Sequence, residues 1–382
     1  METIYLDHAA TSPTRPEVVD AMLPFLSENY GNPSSIHSVG RKNRAALDEA
    51  RQTIADSIGA SPNEIVFTSG GTEADNMAIV GAASANRDKG NHIITSSVEH
   101  HAVLHTCRYL ETQGFDVTYL PVDRSGRVSV QELQESVKED TILVTVMYGN
   151  NEVGTLQPIA ELASVLKEQG VLFHTDAVQA YGLVPIDVKQ LKVDLLSVSA
   201  HKINGPKGNG FLYVREGVTL APNQHGGDQE RKRRAGTENV AGIVGLAEAA
   251  KHSQASMEKR VPKYEAFRTK MLEVFDREGI NYEVNGSEIH HLPHVLNIYF
   301  PNVHSESMLV NLDLAGIAAS SGSACTAGSF EPSHVLEAMY DDETRGLSSI
   351  RFSFGYGNEL EQIEKAAMET AKIVQRLGGE HQ

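Results

Sequence analysis

Up to Arg215 the chain alternates short apolar runs with amphipathic stretches. Seven runs predict strands: Glu64–Ser69, His92–Ser97, Asp116–Val122, Thr141–Gly149, Val171–Val178, Leu195–His201 and Gly208–Arg215. Several are continuously apolar rather than alternating, as expected of strands covered on both faces. Between them, Ala74–Arg87, Val98–Gln113, Val130–Lys138 and Ile159–Gln169 carry apolar residues near the helical period. Strands alternating with helices predict a mainly parallel sheet. The last two strands are joined only by a short INGPK turn, so that pair is expected to be antiparallel.

Beyond Arg215 the pattern changes. A polar, basic stretch (224–234) precedes a long helical region, about Val240 to Glu278. A smaller α/β unit follows, with strand-like Val295–Phe300 and Ser349–Phe354 and a closing helix over Glu359–Leu377. We expect a large domain over 13–257. We expect a small one from 1–12 and 258–382, with the first dozen residues packed on it.

Charge and composition narrow the function. Lys+Arg 33 against Asp+Glu 50 leave a net charge of −17, which opposes bulk binding of a phosphate backbone, so no direct nucleic acid contact is expected. Hydrophobic residues are 40% and charged residues 22%, as in a globular protein. Cys107 and Cys325 are the two cysteines, too few for a disulfide framework. The N-terminus does not read as a signal peptide, and no apolar run is long enough to span a membrane. The expectation is a soluble cytoplasmic protein.

Ligands of open α/β sheets sit beyond the carboxyl ends of the strands, so the residues there are the candidates. Gly70, Gly71 and Thr72 lead into a helix and can offer backbone N–H groups to a phosphate, or form only a capped helix with Thr72 as N-cap and Asp75 as its capping-box carboxylate. Asp176 ends an apolar strand, either as a buried carboxylate needing a cationic partner or as a helix cap. Gln179 lies three residues on. Lys202 follows a buried strand, where lost solvation frees an amine for Schiff-base chemistry; a solvated loop lysine is the alternative. Ser199 and His201 share a strand face and can meet one anion.

His100 follows a strand and can stack on a flat ring or move protons. His101 and His105 have a metal-binding spacing, yet no carboxylate or cysteine completes a set; HHLPH (290–294) reads as a polar loop. Cys107 reads as a buried small hydrophobe. Cys325, in SSGSACTAGS, reads as an exposed, reactive thiol or a linker cysteine. Arg351 can clamp a carboxylate or make a surface ion pair. RKRR (231–234) reads as a solvated patch, or a receiver for a phosphate or an RNA backbone.

Taken in order, YLDHAAT, SGGTEADN, EHHAV, YGNNEVG, HTDAVQ, SVSAHKINGPKG, RAGTEN and SSGSAC resemble the cysteine desulfurases, in the branch with a long catalytic-cysteine loop. The SAHK and SSGSAC stretches are the most specific. The resemblance implies a fold-type I enzyme using pyridoxal 5'-phosphate (PLP), with a seven-stranded sheet in the large domain and a homodimer whose two active sites lie at the interface. It implies that Lys202 holds PLP as a Schiff base, Asp176 pairs with the pyridine nitrogen, Gln179 and Asn151 contact the ring oxygen, and His100 stacks on the ring. Gly71, Thr72, Ser199 and His201 would bind the phosphate, with Thr237 reaching in from the partner subunit. Arg351 and Asn151 would bind the substrate, Arg351 through its carboxylate. Cys325, in a loop at about 320–333, would be the nucleophile that takes sulfur from L-cysteine as a persulfide, releasing alanine.

Only 31 residues follow Arg351 (382 − 351), fewer than in relatives that dock an iron–sulfur scaffold with a longer tail. The resemblance is therefore nearer to Bacillus-type desulfurases that pass sulfur to a tRNA-thiolating enzyme, with iron–sulfur assembly as the other destination. Competing readings are a selenocysteine lyase or another fold-type I PLP enzyme, which would not need Cys325, and a non-catalytic sulfur-relay protein.

Overall fold

Seven strands form one sheet in the spatial order Ile65–Thr68, Gly210–Val214, Leu195–Ser199, Leu172–Asp176, Thr141–Thr145, His92–Ser96, Asp116–Leu120. Only Gly210–Val214 runs antiparallel to its neighbours, because the turn that feeds it is too short for a crossover. The remaining pairs are parallel. This computed structural model describes residues 3–322 and 332–379.

Strands are buried along their whole length where helices cover both faces, as in Thr141–Thr145 and Leu195–Ser199. One face holds Ile94, Val144, Phe173, Leu196 and Phe211. The other holds Ile93, Leu143, Leu195 and Leu212 against the helix Gly71–Ala85 and Cys107. Cys107 is fully buried, and burial pushes its thiol up to about 12, as expected of a hydrophobe rather than a nucleophile.

Observed strands are shorter than the apolar runs. The run Thr141–Gly149 pairs only to Thr145, and its last residues turn over the end of the sheet. Two helices, Pro16–Ser27 and Ser38–Ser57, lie where the pattern predicted nothing. The first contains Pro24, and the second is mostly polar.

The 38-residue helix Val240–Arg277 joins two cores. Ile243 and Leu246 pack on the large sheet. Phe267, Met271 and Phe275 pack with Phe300, Phe352 and Phe354 beside a three-stranded antiparallel sheet, Ser349–Ser353, Val295–Tyr299 and Glu283–Asn285. The start of the chain joins that second core: Ile4–Tyr5 pairs in parallel with Ile317–Ala318, and Leu6 is fully buried there. Asp7 is thereby delivered beside Arg351.

Candidate active site

The carboxyl ends of the parallel strands open into a cleft of ≈ 370 Å³. Gly71, Thr72, His100, Asn151, Asp176, Gln179, Ser199, His201, Lys202 and Arg351 all line it, with Asp75, Met147 and the backbone of Ala9, Ala10 and Gly322. They come from the ends of five neighbouring or near-neighbouring strands and from the second core, so the sheet order brings them together. Cys325 lies outside the described residues. Thr237 is exposed and does not line this chain's cleft.

The turn after Ile65–Thr68 corrects one expectation. The N-cap of helix Gly71–Ala85 is Gly70, at φ +147, and neither Thr72 nor Asp75 caps it. Only glycine takes that backbone readily. Glu73 closes the turn instead, its Oε2 accepting from the Ser69 N–H at 2.7 Å. A Cβ on Gly71 would lie 2.8 Å from Val178 Cγ2, so the backbone comes close to the cleft wall. Helix N–H groups there, with Ser199 and His201 opposite, make an anion cradle.

Asp176 ends its strand with Oδ1 accepting from the Val178 N–H at 2.8 Å. Burial raises its pKa, while nearby Lys202 opposes the rise. Asp75 lies behind it, 1% exposed, and burial raises its pKa further, with the Asp176 charge adding to the rise. Burial and mutual repulsion disfavour ionisation of both; Asp75, the deeper, is raised further, while the Lys202 charge favours the ionised form of Asp176. His174 sits beneath, 3.7 Å from Asp75 Oδ1, bonded to Thr145 Oγ1 and Ser197 Oγ, and burial holds it neutral by lowering its pKa to about 3.

Lys202 Nζ donates to the Ala10 carbonyl at 2.8 Å and to that of Ala9. His100 is not inside a helix as the periodicity predicted. It is the N-cap of His101–Thr112, its Nδ1 accepting from the Ala102 N–H at 3.1 Å. That bond leaves the proton on Nε2. Burial, then the Lys202 charge, lowers the pKa of His100 to about 4. Burial also takes His201 to about 4, with Nδ1 3.1 Å from Thr11 Oγ1. Gln179 donates to the Ala9 carbonyl at 2.9 Å and lies 3.2 Å from His294 Nε2. HHLPH is thus more than a polar loop: its last histidine is buried under the site. His101 and His105 stack with rings 4.9 Å apart and 5° from parallel, a packing contact rather than a chelate.

Arg351 is 3% exposed. Its Nη1 donates to the Asn151 carbonyl at 2.9 Å and its Nη2 to Asp7 Oδ1 at 2.8 Å. Its Nε is buried with no partner. The RKRR run is only partly solvated: Arg234 forks onto Glu73 at 2.7 and 3.3 Å, and Arg233 donates to the Asn63 carbonyl.

These groups fit PLP. The close-approach glycine turn suits a phosphate, the buried Asp176 a protonated pyridine nitrogen, and Lys202 an attachment point. Sequence reading gave Asp7 and His174 no role here, took Asp75 for a capping carboxylate and placed His294 in a polar loop. Only Asp75 carried a local signal, a carboxylate among the apolar positions of its helix.

The chain matches the model of the aminotransferase class-V family over residues 4–366. The IscS 1 protein of Bacillus subtilis (strain 168) is 60% identical over 378 residues, 99% of this chain and 100% of that one. The cysteine desulfurase IscS of Methanosarcina thermophila is 52% identical over 98% of this chain and 93% of its own. Among solved structures, a NifS-like protein superposes with TM-score 0.92 at 36% identity, covering 98% of this chain and 100% of that chain. SspA in complex with cysteine superposes with TM-score 0.83 at 39% identity, covering 92% and 99%. This chain, with its lysine, buried aspartate and phosphate cradle at one sheet edge, belongs to the PLP-dependent cysteine desulfurases of the aminotransferase class-V family.

Proposed function

We propose that the protein converts L-cysteine to L-alanine and leaves the sulfur as a persulfide on Cys325. The observation that carries this reading is Arg351. A buried guanidinium N–H without a partner costs about 1–3 kcal/mol, and a carboxylate in forked contact satisfies it. An α-amino acid held there presents its amino group and α-carbon toward Lys202.

PLP, when bound, supplies an electron sink for the bonds broken at the substrate α-carbon. Lys202 would hold the cofactor and, as a free amine, would take the substrate α-proton on Nζ and return it to the α-carbon. Asp176 holds the pyridine end by its charge. His100, neutral with its proton on Nε2, would lie against the cofactor and can hand that proton onward. Gly71, Thr72, Ser199 and His201 would hold the phosphate, and Asn151 and Gln179 would orient the ring. The Cys325 thiolate attacks the substrate sulfur. A sulfur–sulfur bond forms and the carbon–sulfur bond breaks, its electron pair going to the substrate carbon, which takes a proton and leaves as alanine.

The reading extends to a homodimer in which Thr237 of each chain reaches the other's phosphate. Support comes from the exposed apolar residues Leu23, Leu26, Tyr30 and Ile36, gathered near one end of the chain. A division into domains near residue 257, inside the shared helix, belongs to the same proposal. So do a cytoplasmic location and a tRNA-thiolating acceptor for the sulfur, ahead of an iron–sulfur scaffold. The test is alanine and sulfide release from L-cysteine under reductant, by wild type and Cys325→Ala. Equal amounts from wild type and nearly none from the variant are expected. Alanine from both removes Cys325 as nucleophile, and neither product from PLP-loaded protein points to another amino-acid substrate.

A further inference from the structure

A second cavity, of ≈ 20 Å³, lies beside Lys202 where the two cores meet. Ile203 of the first core and Phe354 of the second line it, with His8, Lys202, Arg260 and His294. Three nitrogens of these residues are buried with no hydrogen-bond partner among the described residues: His8 Nδ1, Arg260 Nε and His294 Nδ1. Both histidines are 5% exposed. His8 Nδ1 lies against Gly355, which is also on the wall, only 2.0 Å from where a Cβ would stand.

Neighbouring bonds fix the polarity of two of these atoms. Gln179 Nε2 donates to the Ala9 carbonyl at 2.9 Å, so its Oε1 is the atom 3.2 Å from His294 Nε2. An acceptor opposite Nε2 places the His294 proton there and leaves a lone pair on Nδ1. Burial keeps that ring neutral, lowering its pKa to about 3. Arg260 Nε is a donor only. Its guanidinium is held in place by Nη2, which donates to the Gly182 carbonyl at 2.6 Å and to Ser253 Oγ at 2.8 Å. The cavity therefore offers a donor, an acceptor and a third ring nitrogen. A buried water needs about 10–15 Å³ of such space and makes about three hydrogen bonds.

We propose that this cavity binds a single water molecule that joins Arg260 Nε and His8 Nδ1 to His294 Nδ1, and that Arg260 acts through it as a positioning residue for Gln179 in the cleft. This rests on the reading of the cleft given above. The donors then run in one direction. Arg260 Nε–H donates to the water, the water to His294 Nδ1, and His294 Nε2–H to Gln179 Oε1. Gln179 Nε2–H donates to the Ala9 carbonyl, which also accepts from Lys202 Nζ. Bonds in such a chain strengthen one another. Without the water, His294 is free to carry its proton on Nδ1. Its Nε2 then opposes Gln179 Oε1, the amide turns over, and Gln179 offers the cofactor ring and Lys202 a different atom.

The test begins with a crystal structure of the PLP-loaded wild type, where one ordered water within about 3.2 Å of all three nitrogens is expected. Two variants follow. Arg260→Lys keeps the charge and the reach to Gly182 and Ser253 but removes the Nε–H. His294→Asn keeps a polar group near the Nδ1 position and loses the contact with Gln179. PLP release, followed by absorbance after dilution into a PLP scavenger, reads the hold of Gln179 on the cofactor. The melting temperature of the PLP-free protein reads the fold. Each variant is expected to release PLP about fivefold faster, as for loss of one hydrogen bond, with the PLP-free melting temperature of Arg260→Lys unchanged. The double variant should release PLP no faster than His294→Asn alone, because both changes act through Gln179. A cavity without water density overturns the proposal, as does wild-type PLP release from Arg260→Lys. Faster release with a matching fall in the PLP-free melting temperature also overturns it, since Arg260 then acts on the fold alone. So do effects that multiply fully in the double variant. If wild type binds no PLP, the reading of the cleft falls first, and crystals of the PLP-free protein decide the water site by itself.

Discussion

Arg351 Nη2 donates to Asp7 Oδ1 at 2.8 Å, joining residues 344 positions apart in sequence. The ion pair is largely buried, with the arginine side chain 3% and the aspartate 21% exposed. A charged partner here holds the guanidinium plane of a residue that lines the cleft. Asp7→Asn keeps the shape and removes the charge. A charge-assisted hydrogen bond contributes about 1.5–3 kcal/mol, so roughly a tenfold rise in KM for L-cysteine is expected. The turnover number should change less. Steady-state kinetics check this, and an unchanged KM removes Asp7 from substrate binding.

His100 gives a prediction in pH. Its pKa, lowered to about 4, leaves it neutral through the range where an ordinary histidine would titrate near 6.5. The acid limb of kcat/KM for wild type should therefore not reflect His100. His100→Gln is expected to lose roughly 10²-fold in rate, as for removal of a proton-transfer group, with the profile between pH 5.5 and 8 unchanged in shape. If a limb near 6.5 disappears in the variant, His100 titrates there and its burial is not the controlling factor.

Stability should fall on the acid side. Burial lowers His8, His100 and His201 to about 4, and His174 and His294 to about 3. Below 6.5 the unfolded chain takes up protons that the native state refuses, so stability is lost as pH falls toward 4. Glu99, pushed up to about 8 by burial, has the opposite slope: its native state keeps a proton that the unfolded chain gives up, so its contribution shrinks as pH rises from 4.5 to 8. Asp75 and Asp176, also raised, act in the same direction as Glu99. Five histidines outweigh these three carboxyls, and the melting temperature of the PLP-free protein should drop from pH 6.5 to pH 5. A flat or rising curve in calorimetry over that interval contradicts the assignment.

Arg51 and Glu230 form a forked, buried pair at 2.5 and 2.8 Å. Glu230 Oε2 also accepts from the Phe67 N–H at 3.0 Å, and Arg51 lies over the Phe67 ring at 4.6 Å. The pair holds a turn in which Glu230, Arg231 and Lys232 all have positive φ, unusual for residues other than glycine. Glu230→Ala leaves a buried guanidinium uncompensated and should cost ~3–5 kcal/mol by urea denaturation. A loss under 1 kcal/mol would mean that solvent reaches Arg51 in the variant.

Gly355 sets a steric limit. A Cβ there would lie 2.0 Å from His8 Nδ1, and His8 is 5% exposed. Gly355→Ala must displace that ring and the neighbouring backbone, and is expected to destabilise by about 1–3 kcal/mol, as overpacking does. Thermal unfolding of the variant reads this directly, and a wild-type midpoint would show that the ring can move without cost.

The chain's own pattern determined much of the architecture. Apolar runs and helical periods are local properties, repeating over two to four residues, so the parallel sheet, its antiparallel strand and the closing helix were legible. So were the residues at strand ends, because connectivity alone puts Asp176, Lys202 and His100 on one edge. Strand ends were overrun where an apolar residue such as Met147 leaves the ladder to line the cleft. The cap at Thr72 was misread because Gly70 can take a backbone that lets the chain turn without a side-chain cap. Tertiary structure alone decided the polar partners: Asp7 with Arg351, Asp75 with His174, Gln179 with His294. A buried polar group pairs with whatever complementary atom the fold brings into reach, and those atoms lie up to 344 residues away, where no periodicity reaches.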